Sequence, residues 1–135
     1  MATFLLELVT PEEKLLSERV KSVRAPGIDG SFGVLAGHAP LMTALTIGLI
    51  KVDYENGESE LIATSGGFME VNSGKATILA DTAERAKDID IVRAEAAVAK
   101  AREHLASGAA ADYDEATVNL DRALNRVKIA QMNRN

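Results

Sequence analysis

Short apolar runs separated by turn residues make up the first 87 residues of the chain. Within the runs apolar and polar positions alternate: Ile50, Val52 and Tyr54 fall on one side of a strand, with Lys51 and Asp53 on the other. Many short strands at this spacing predict a mostly antiparallel β-sandwich or flattened barrel. The predicted strands are Thr3–Val9, Glu18–Ala25, Ser31–Leu35, Leu45–Tyr54, Glu60–Thr64, Phe68–Val71 and Ala76–Asp81.

Pairs of turn-forming residues separate these runs. Asn56-Gly57 predicts a two-residue hairpin turn, because both residues tolerate positive φ. Ser73-Gly74 predicts a second tight turn, and Pro26-Gly27 with Asp29-Gly30 predicts a loop.

The composition changes near residue 87. Residues 1–87 contain nine of the ten glycines and all three prolines, whereas residues 88–135 contain twelve alanines, one glycine and no proline. Glycine and proline interrupt helices and alanine favours them. The sequence therefore predicts a β domain over residues 1–87 and a helical domain over residues 88–135.

Capping residues mark a first helix in the second part. Asp88 or Asp90 is expected to cap a helix that runs to about Ala106, and Ser107-Gly108 to end it.

A second helix follows after a short connection. Asp112 followed by Glu115 forms a capping-box pattern for a helix from Tyr113 to about Met132. Two helices joined in this way predict an antiparallel hairpin.

Alanine dominates the predicted seam between the two helices. Alanine allows close approach but buries little area, so we expect weak docking and a movable arm, with a static hairpin capping a sheet as the alternative. The seam positions are Ala94, Ala97, Ala101 and Leu105 on the first helix, and Tyr113, Ala116, Leu120, Ala123, Leu124 and Val127 on the second.

Charge and composition narrow the class of protein. A formal net charge of −5 argues against broad nucleic-acid binding, which needs clustered cations. The absence of cysteine removes disulfides and thiolate catalysis and fits a reducing compartment. Met1 to Val9 lacks the basic flank of a signal peptide, and no apolar stretch is long enough for a membrane span, so membrane association is expected only through a partner.

Isolated residues offer little catalytic chemistry. His38 lacks a nucleophile and a carboxylate partner, and with His104 in the distant helical part no metal site is expected. A structural or interface role for His38 is favoured. Glycines at positions 27, 30 and 33, or 66 and 67, match neither the Rossmann nor the Walker spacing, so turns and bulges account for them better than a phosphate loop.

Cations on the two helices form a stronger pattern. Arg122 and Arg126 lie one turn apart, and Arg93 and Lys100 lie two turns apart. In an antiparallel hairpin they could converge on a polyanion such as a nucleotide triphosphate, for which arginine offers bidentate donors. A solvated face with ion pairs, or docking on an acidic protein surface, explains the same pattern.

Several motifs, in their order and spacing, show a resemblance to a known family. The chain resembles the ε subunit of bacterial and chloroplast F-type ATP synthases, which corresponds to the mitochondrial δ subunit. The resemblance implies a ten-stranded β-sandwich, two C-terminal helices and no active site. The motifs are Thr10-Pro11, Gly33–Leu41, Ser65–Val71 and Ala76–Asp81, followed by the helical hairpin.

The resemblance also implies partners and a location. Members bind the γ subunit and the c-ring through the β domain, and they restrain ATP hydrolysis when the helices extend toward the α/β catalytic head. His38 and Met42 are then candidate rotor contacts. The implied location is the cytoplasmic face of the bacterial cell membrane as a peripheral part of the complex, with the stromal face of the thylakoid as the alternative.

ATP is implied as a regulatory ligand, with or without magnesium, and no cofactor is required. ATP-binding members carry an Ile/Leu-Asp-x-x-Arg-Ala motif, which the segment from Ile89 to Ala94 matches. Lys100 stands where some binders have arginine, and Glu115 falls where they are more basic. The candidate nucleotide-binding residues are Glu84, Ile89, Asp90, Arg93, Lys100, Arg122 and Arg126.

The expected function is therefore that of a central-stalk subunit whose folded arm is stabilised by ATP. Two other classes stay open. A nucleotide-sensing adaptor outside a rotary ATPase would bind ATP without co-purifying with such a complex. A small enzyme using His38 would show turnover that His38→Ala abolishes.

Overall fold

The computed structural model describes residues 2–107 and 113–134. The chain divides into two compact units at the bond between Arg85 and Ala86. The first unit contains seven strands in its described residues. These are β1 (Phe4–Val9), β2 (Lys14–Gly27), β3 (Gly30–Leu35), β4 (Leu41–Tyr54), β5 (Ser59–Asn72), β6 (Lys75–Ala80) and β7 (Ala83–Arg85).

Five of these strands close on themselves. They are hydrogen-bonded in the order β1-β6-β5-β4-β2, and β2 pairs in turn with β1. Only the β1–β6 pairing is parallel among the described strands. β3 pairs with the second half of β2, over Ser22 to Gly27, and β7 pairs with β5. The predicted fold class, a sandwich-like or flattened barrel followed by two helices, is confirmed.

The interior of the first unit is aliphatic. Alternation along each strand sends every second side chain inward, as in β1, where Phe4, Leu6 and Leu8 are buried. Each buried side chain of this size contributes about 1.5–3 kcal/mol relative to exposure. The largest fully buried side chains here are Leu6, Leu8, Ile50, Ile62, Met69 and Ile78.

Several strands are longer than the sequence pattern predicts. The separate runs Glu60–Thr64 and Phe68–Val71 are joined in β5, which continues through Gly66 and Gly67. Both glycines have positive φ, +115° and +142°, so the chain changes direction without leaving the sheet. One bent strand therefore replaces two of the seven predicted runs, and β7, which the pattern did not predict, brings the number back to seven. The ten strands that the resemblance implies are not separate strands in the described residues.

One predicted turn is wrong and another is confirmed. Gly57 N–H donates to the Tyr54 carbonyl at 3.1 Å, and Gly57 alone in this loop has positive φ. The hairpin between β4 and β5 thus has a three-residue turn that ends in a glycine bulge, rather than two residues at Asn56-Gly57. Ser73 and Gly74 both have positive φ and form the predicted tight turn between β5 and β6.

The second unit begins with a 3-10 turn at Ala86–Asp88 and continues as α1 (Ile91–Ala106) and α2 (Tyr113–Arg134). The two helices pack against each other, and the 3-10 turn packs against α2. Asp90, of the two candidates, is the N-cap of α1. The predicted caps at Gly108 and Asp112 lie outside the described residues. No helix in the described ranges has the length and apolarity needed to cross a bilayer.

The seam between the helices differs from the predicted one at several positions. Tyr113 is 61% exposed and Leu124 is 38% exposed, so both lie outside it. The reason is helical geometry: both positions are rotated away from the line of buried alanines on α2. The buried residues are Ala94, Val98 and Ala101 on α1, and Ala116, Ala123, Ile129 and Ala130 on α2.

Candidate functional site

The start of α1 is built around Asp90. Its Oδ1 accepts hydrogen bonds from the backbone N–H groups of Val92 at 3.1 Å and Arg93 at 3.2 Å. These bonds satisfy two donors that a helix start leaves unpaired, and the carboxylate complements the positive end of the helix dipole. Asp90 therefore has a structural role whether or not a ligand binds.

Ile89, the first residue of the recognised motif, is only 9% exposed. Its N–H donates to the Ala86 carbonyl at 3.2 Å, which closes the 3-10 turn. Ile89 thus packs within the helical unit and offers a ligand little surface.

Four cations lie along the two helices. At about 100° per residue, Arg93 and Lys100 fall to the same side of the buried line on α1. Arg122 and Arg126 likewise share one side of the buried line on α2. When two right-handed helices pack antiparallel, the side of α1 that carries its two cations and the side of α2 that carries its two cations face the same way. All four side chains therefore project from one side of the hairpin. We call Arg93, Lys100, Arg122 and Arg126 the cationic flank.

The cationic flank is accessible. Arg93, Lys100 and Arg122 are exposed, and Arg126 is partly buried. Exposed guanidinium groups on adjacent helical turns suit a ligand with several phosphates, because each group can donate two parallel hydrogen bonds.

The remaining nucleotide candidate lies on the first unit. Glu84 is the central residue of β7, pairs with Ala63 of β5 and is partly buried. The other six candidates, from Ile89 to Arg126, all belong to the helical unit.

The barrel carries an apolar strip on its outer surface. Ala44 on β4 is paired with Phe68 on β5, Phe68 with Leu79 on β6, and Leu79 with Val9 on β1. Paired residues point to the same side of a sheet, so these four side chains form one line across four strands. We call Val9, Ala44, Phe68 and Leu79 the apolar row.

Exposure sets the apolar row apart from the barrel core. Phe68 is 59% and Leu79 55% exposed, and Ile28, whose N–H donates to the Ala44 carbonyl at 3.0 Å, is 67% exposed. Contiguous exposed apolar side chains make this surface a candidate docking site for a partner.

One of the two predicted rotor contacts, Met42, lies beside the apolar row. Met42 is 70% exposed and, two residues before Ala44 on β4, points to the same side as the apolar row. His38 is exposed in the turn before β4, and its Nδ1 lies 2.6 Å from the Ala39 carbonyl oxygen, which can only accept a hydrogen bond.

Sequence reasoning missed Phe68, Leu79 and Ile28 as surface residues. A signal was present: Met69 and Ile78 are inward-facing, so strand alternation turns their neighbours Phe68 and Leu79 outward. A large apolar residue at an outward position is the pattern that would have found them.

Comparison with known proteins agrees with both units. Residues 3–86 match the family described as the beta-sandwich domain of the ATP synthase Delta/Epsilon chain, and residues 87–131 match its long alpha-helix domain. The chain belongs to the delta/epsilon family of ATP synthase chains.

Curated relatives share most of the length of this chain. An ATP synthase epsilon chain of Desulforamulus reducens is 46% identical over 127 residues, which cover 93% of this chain and 96% of the relative. One from Pelotomaculum thermopropionicum is 50% identical over 101 residues, 75% of each chain. A third, from Nitratidesulfovibrio vulgaris, is 46% identical over 125 residues, 92% of each.

Two solved structures resemble this chain over most of its length. A chain in the mitochondrial ATP synthase of Euglena gracilis, an assembly of OSCP, F1 and c-ring, is 28% identical with a TM-score of 0.84, covering 98% of this chain and 82% of that one. A chain in the central stalk and c-ring of the Tetrahymena thermophila enzyme has a TM-score of 0.57 at 16% identity, over 90% of this chain and 95% of that chain, and shows the shared fold.

Proposed function

We propose that this chain is the ε-type central-stalk subunit of an F-type ATP synthase. It has no active site of its own; it couples the rotor to the catalytic head and restrains ATP hydrolysis through its helical unit, which acts as a movable arm. Its partners are the γ subunit and the c-ring, and the α/β head when the arm extends. The complex lies on the cytoplasmic face of the bacterial cell membrane. Membership of the delta/epsilon family supports this assignment.

The apolar row provides the surface for rotor attachment. Its exposed side chains, with Met42 beside them, would be buried against γ, and each large side chain contributes about 1.5–3 kcal/mol when fully buried. His38, exposed in the turn before β4, is proposed as a second rotor contact.

The cationic flank carries the regulatory part of the proposal. Arg93 and Lys100 come from α1, and Arg122 and Arg126 from α2, so a triphosphate reaches all four only when the helices are paired. ATP would then bind the folded arm and not the extended one, whose cations would instead contact acidic surface on the catalytic head. Asp90, at the start of α1, would accept a hydrogen bond from an exocyclic amine.

The small seam makes the folded arm sensitive to such a ligand. Five of the seven buried residues on the two helices are alanines, which bury little area. A ligand that binds only the folded arm stabilises it by RT ln(1 + [ATP]/Kd), about 1.4 kcal/mol at ten times Kd. This shifts the balance between the two arm states roughly tenfold.

Calorimetric titration of the full chain with ATP, with and without magnesium, tests the proposal. We expect Arg93→Ala and Arg122→Ala each to weaken ATP binding about tenfold or more, since a hydrogen bond to a charged group contributes about 1.5–3 kcal/mol. In the reconstituted complex, Arg93→Ala should increase inhibition of hydrolysis at saturating ATP, because ATP no longer stabilises the folded arm.

Arg102→Ala is the matched control. Arg102 is also an exposed arginine on α1, but it lies on the other side of the buried line, away from the cationic flank. Unchanged ATP affinity in Arg93→Ala and Arg122→Ala, or an equal loss in Arg102→Ala, would contradict the assigned site.

A further inference from the structure

A polar cluster meets at the last residue of the first unit. Arg85 ends β7, and its Nη1 donates to both carboxylate oxygens of Glu60 on β5. Its Nη2 donates to the Leu15 carbonyl on β2 at 2.7 Å. The Tyr54 hydroxyl, at the end of β4, donates to Glu60 Oε1 at 2.6 Å. We call Tyr54, Glu60 and Arg85 the clamp.

The clamp is shielded from solvent. The side chains of Arg85 and Glu60 are 22% and 12% exposed, so their attraction is screened less than that of a surface pair. The hydrogen bond to Glu60 raises the pKa of Arg85, and burial, reinforced by the bond to Glu60, raises the pKa of Tyr54. Both donors are protonated at neutral pH even at their ordinary pKa values, and the upward shifts extend that range to higher pH.

β7 is a short strand at the edge of the sheet. It is three residues long and, among the described strands, it pairs with β5 alone, through the register Ala83↔Thr64, Glu84↔Ala63 and Arg85↔Ile62. A strand this short with one neighbour is marginal on backbone pairing alone. The clamp links Arg85 directly to β2 and β5, and through Glu60 to Tyr54 on β4, just before the chain enters the second unit.

We propose that the clamp fixes the base of the helical unit, by holding β7 in the sheet up to Arg85 so that movement of the arm begins at Ala86. Without the clamp, β7 would peel from β5 and the moving segment would begin upstream, near Thr82. If β7 stays in the sheet, the helices move relative to a fixed point on the barrel. If β7 detaches, part of that movement is taken up by the loosened strand. The proposal rests on the proposed function in treating the helical unit as a moving arm.

Glu60→Gln in the full chain tests the clamp. This change removes the carboxylate charge that Arg85 and Tyr54 share while keeping the side-chain shape, and it leaves Arg85 in place as a trypsin site. We expect the β7 amides to exchange hydrogen for deuterium about tenfold faster or more, and trypsin to cut the Arg85–Ala86 bond correspondingly faster. Amides of β1 and β6 should exchange at the wild-type rate.

Two further variants separate the clamp from general destabilisation. Tyr54→Phe removes a single hydrogen bond and should give a smaller increase in β7 exchange than Glu60→Gln. Lys75→Gln removes an ion pair with Glu7, whose side chain is similarly shielded at 14% exposure, but that pair joins β6 to β1, so β7 should be unaffected. Arg85→Lys keeps the charge yet cannot bond both Glu60 and the Leu15 carbonyl, and should resemble Glu60→Gln.

Wild-type exchange in β7 and wild-type cleavage at Arg85–Ala86 in Glu60→Gln would overturn the clamp. The clamp would also be overturned if Lys75→Gln accelerated β7 exchange as much as Glu60→Gln does. ATP titration of Glu60→Gln keeps the two proposals apart. Faster β7 exchange supports the clamp even in a chain that binds no ATP, and failure of the nucleotide proposal shows only in the titration.

Discussion

At the scale of single residues, backbone geometry decides which glycines matter. Gly67 has a φ of +142°, and a Cβ built there would lie 2.1 Å from the Leu79 carbonyl oxygen and 2.8 Å from Ala80 Cα. Both contacts are with the backbone of β6, which is paired with β1 on its other side. The Gly66-Gly67 pair that superficially resembles a phosphate loop is therefore a bend in a strand, held against its neighbour.

Gly67→Ala is expected to destabilise the barrel by more than about 3 kcal/mol, because a backbone collision adds to the strain of positive φ. Gly37→Ala is the control: Gly37 also has positive φ, +81°, but nothing lies within 4 Å of its added Cβ. Its cost should be about 1–2 kcal/mol, the backbone term alone. Urea unfolding followed by circular dichroism measures both. If both variants lose the same free energy of unfolding, the added Cβ at Gly67 does not collide with β6 and the prediction is wrong.

At the scale of elements, strand alternation separates the core of the barrel from its docking surface. Each of β5 and β6 turns one set of apolar residues inward and leaves another outward, so Met69 is fully buried while Phe68 is 59% exposed. Pairing between strands then brings the outward residues into the apolar row. Each strand contributes only one or two outward apolar residues, and they form a continuous surface only because the strands are paired.

Phe68→Asp should reduce affinity for γ about tenfold or more, because it places a charge in the middle of the apolar row and removes a large apolar contact. The matched control is Leu35→Asp, since Leu35 on β3 is similarly exposed, at 64%, but lies outside the apolar row. Surface plasmon resonance with immobilised γ compares the two. If Leu35→Asp weakens binding as much as Phe68→Asp, attachment uses a different face.

At the scale of the whole molecule, the two units are built by different means. The barrel has its own core, whose buried members all come from residues before 81. The helical unit depends on helix propensity, the Asp90 cap and a narrow seam rich in alanine. This division suits a rigid attachment domain joined to a part that changes state.

A chain ending at Lys87 is expected to stay folded, because it keeps the entire barrel core and the clamp. It should unfold cooperatively in urea, bind γ with the affinity of the full chain and show no ATP binding. Circular dichroism and the γ-binding and calorimetric titrations above check these three properties. Loss of γ binding would assign rotor attachment to the helical unit instead.

The periodic pattern of the sequence carried much of this description. Alternating runs predicted most strands to within a few residues, and the change in composition near residue 87 predicted a β part followed by helices. Asp90 and Tyr113 as the cap and start of the two helices also follow from local signals, since capping and propensity act over a few residues. The candidate nucleotide residues came instead from the resemblance of the segment from Ile89 to Ala94 to a family motif, and they stay predictions.

Other features depend on contacts between distant segments, which no local pattern encodes. The joining of two runs into β5, the apolar row and the clamp each bring together residues from several strands. Exposure of Tyr113 and Leu124 and burial of Val98 and Ile129 likewise depend on how two helices face each other. The sequence by itself thus determined the elements and their order. Only the tertiary structure decided which outward residues meet, because that is set by strand register and helix rotation rather than by neighbours along the chain.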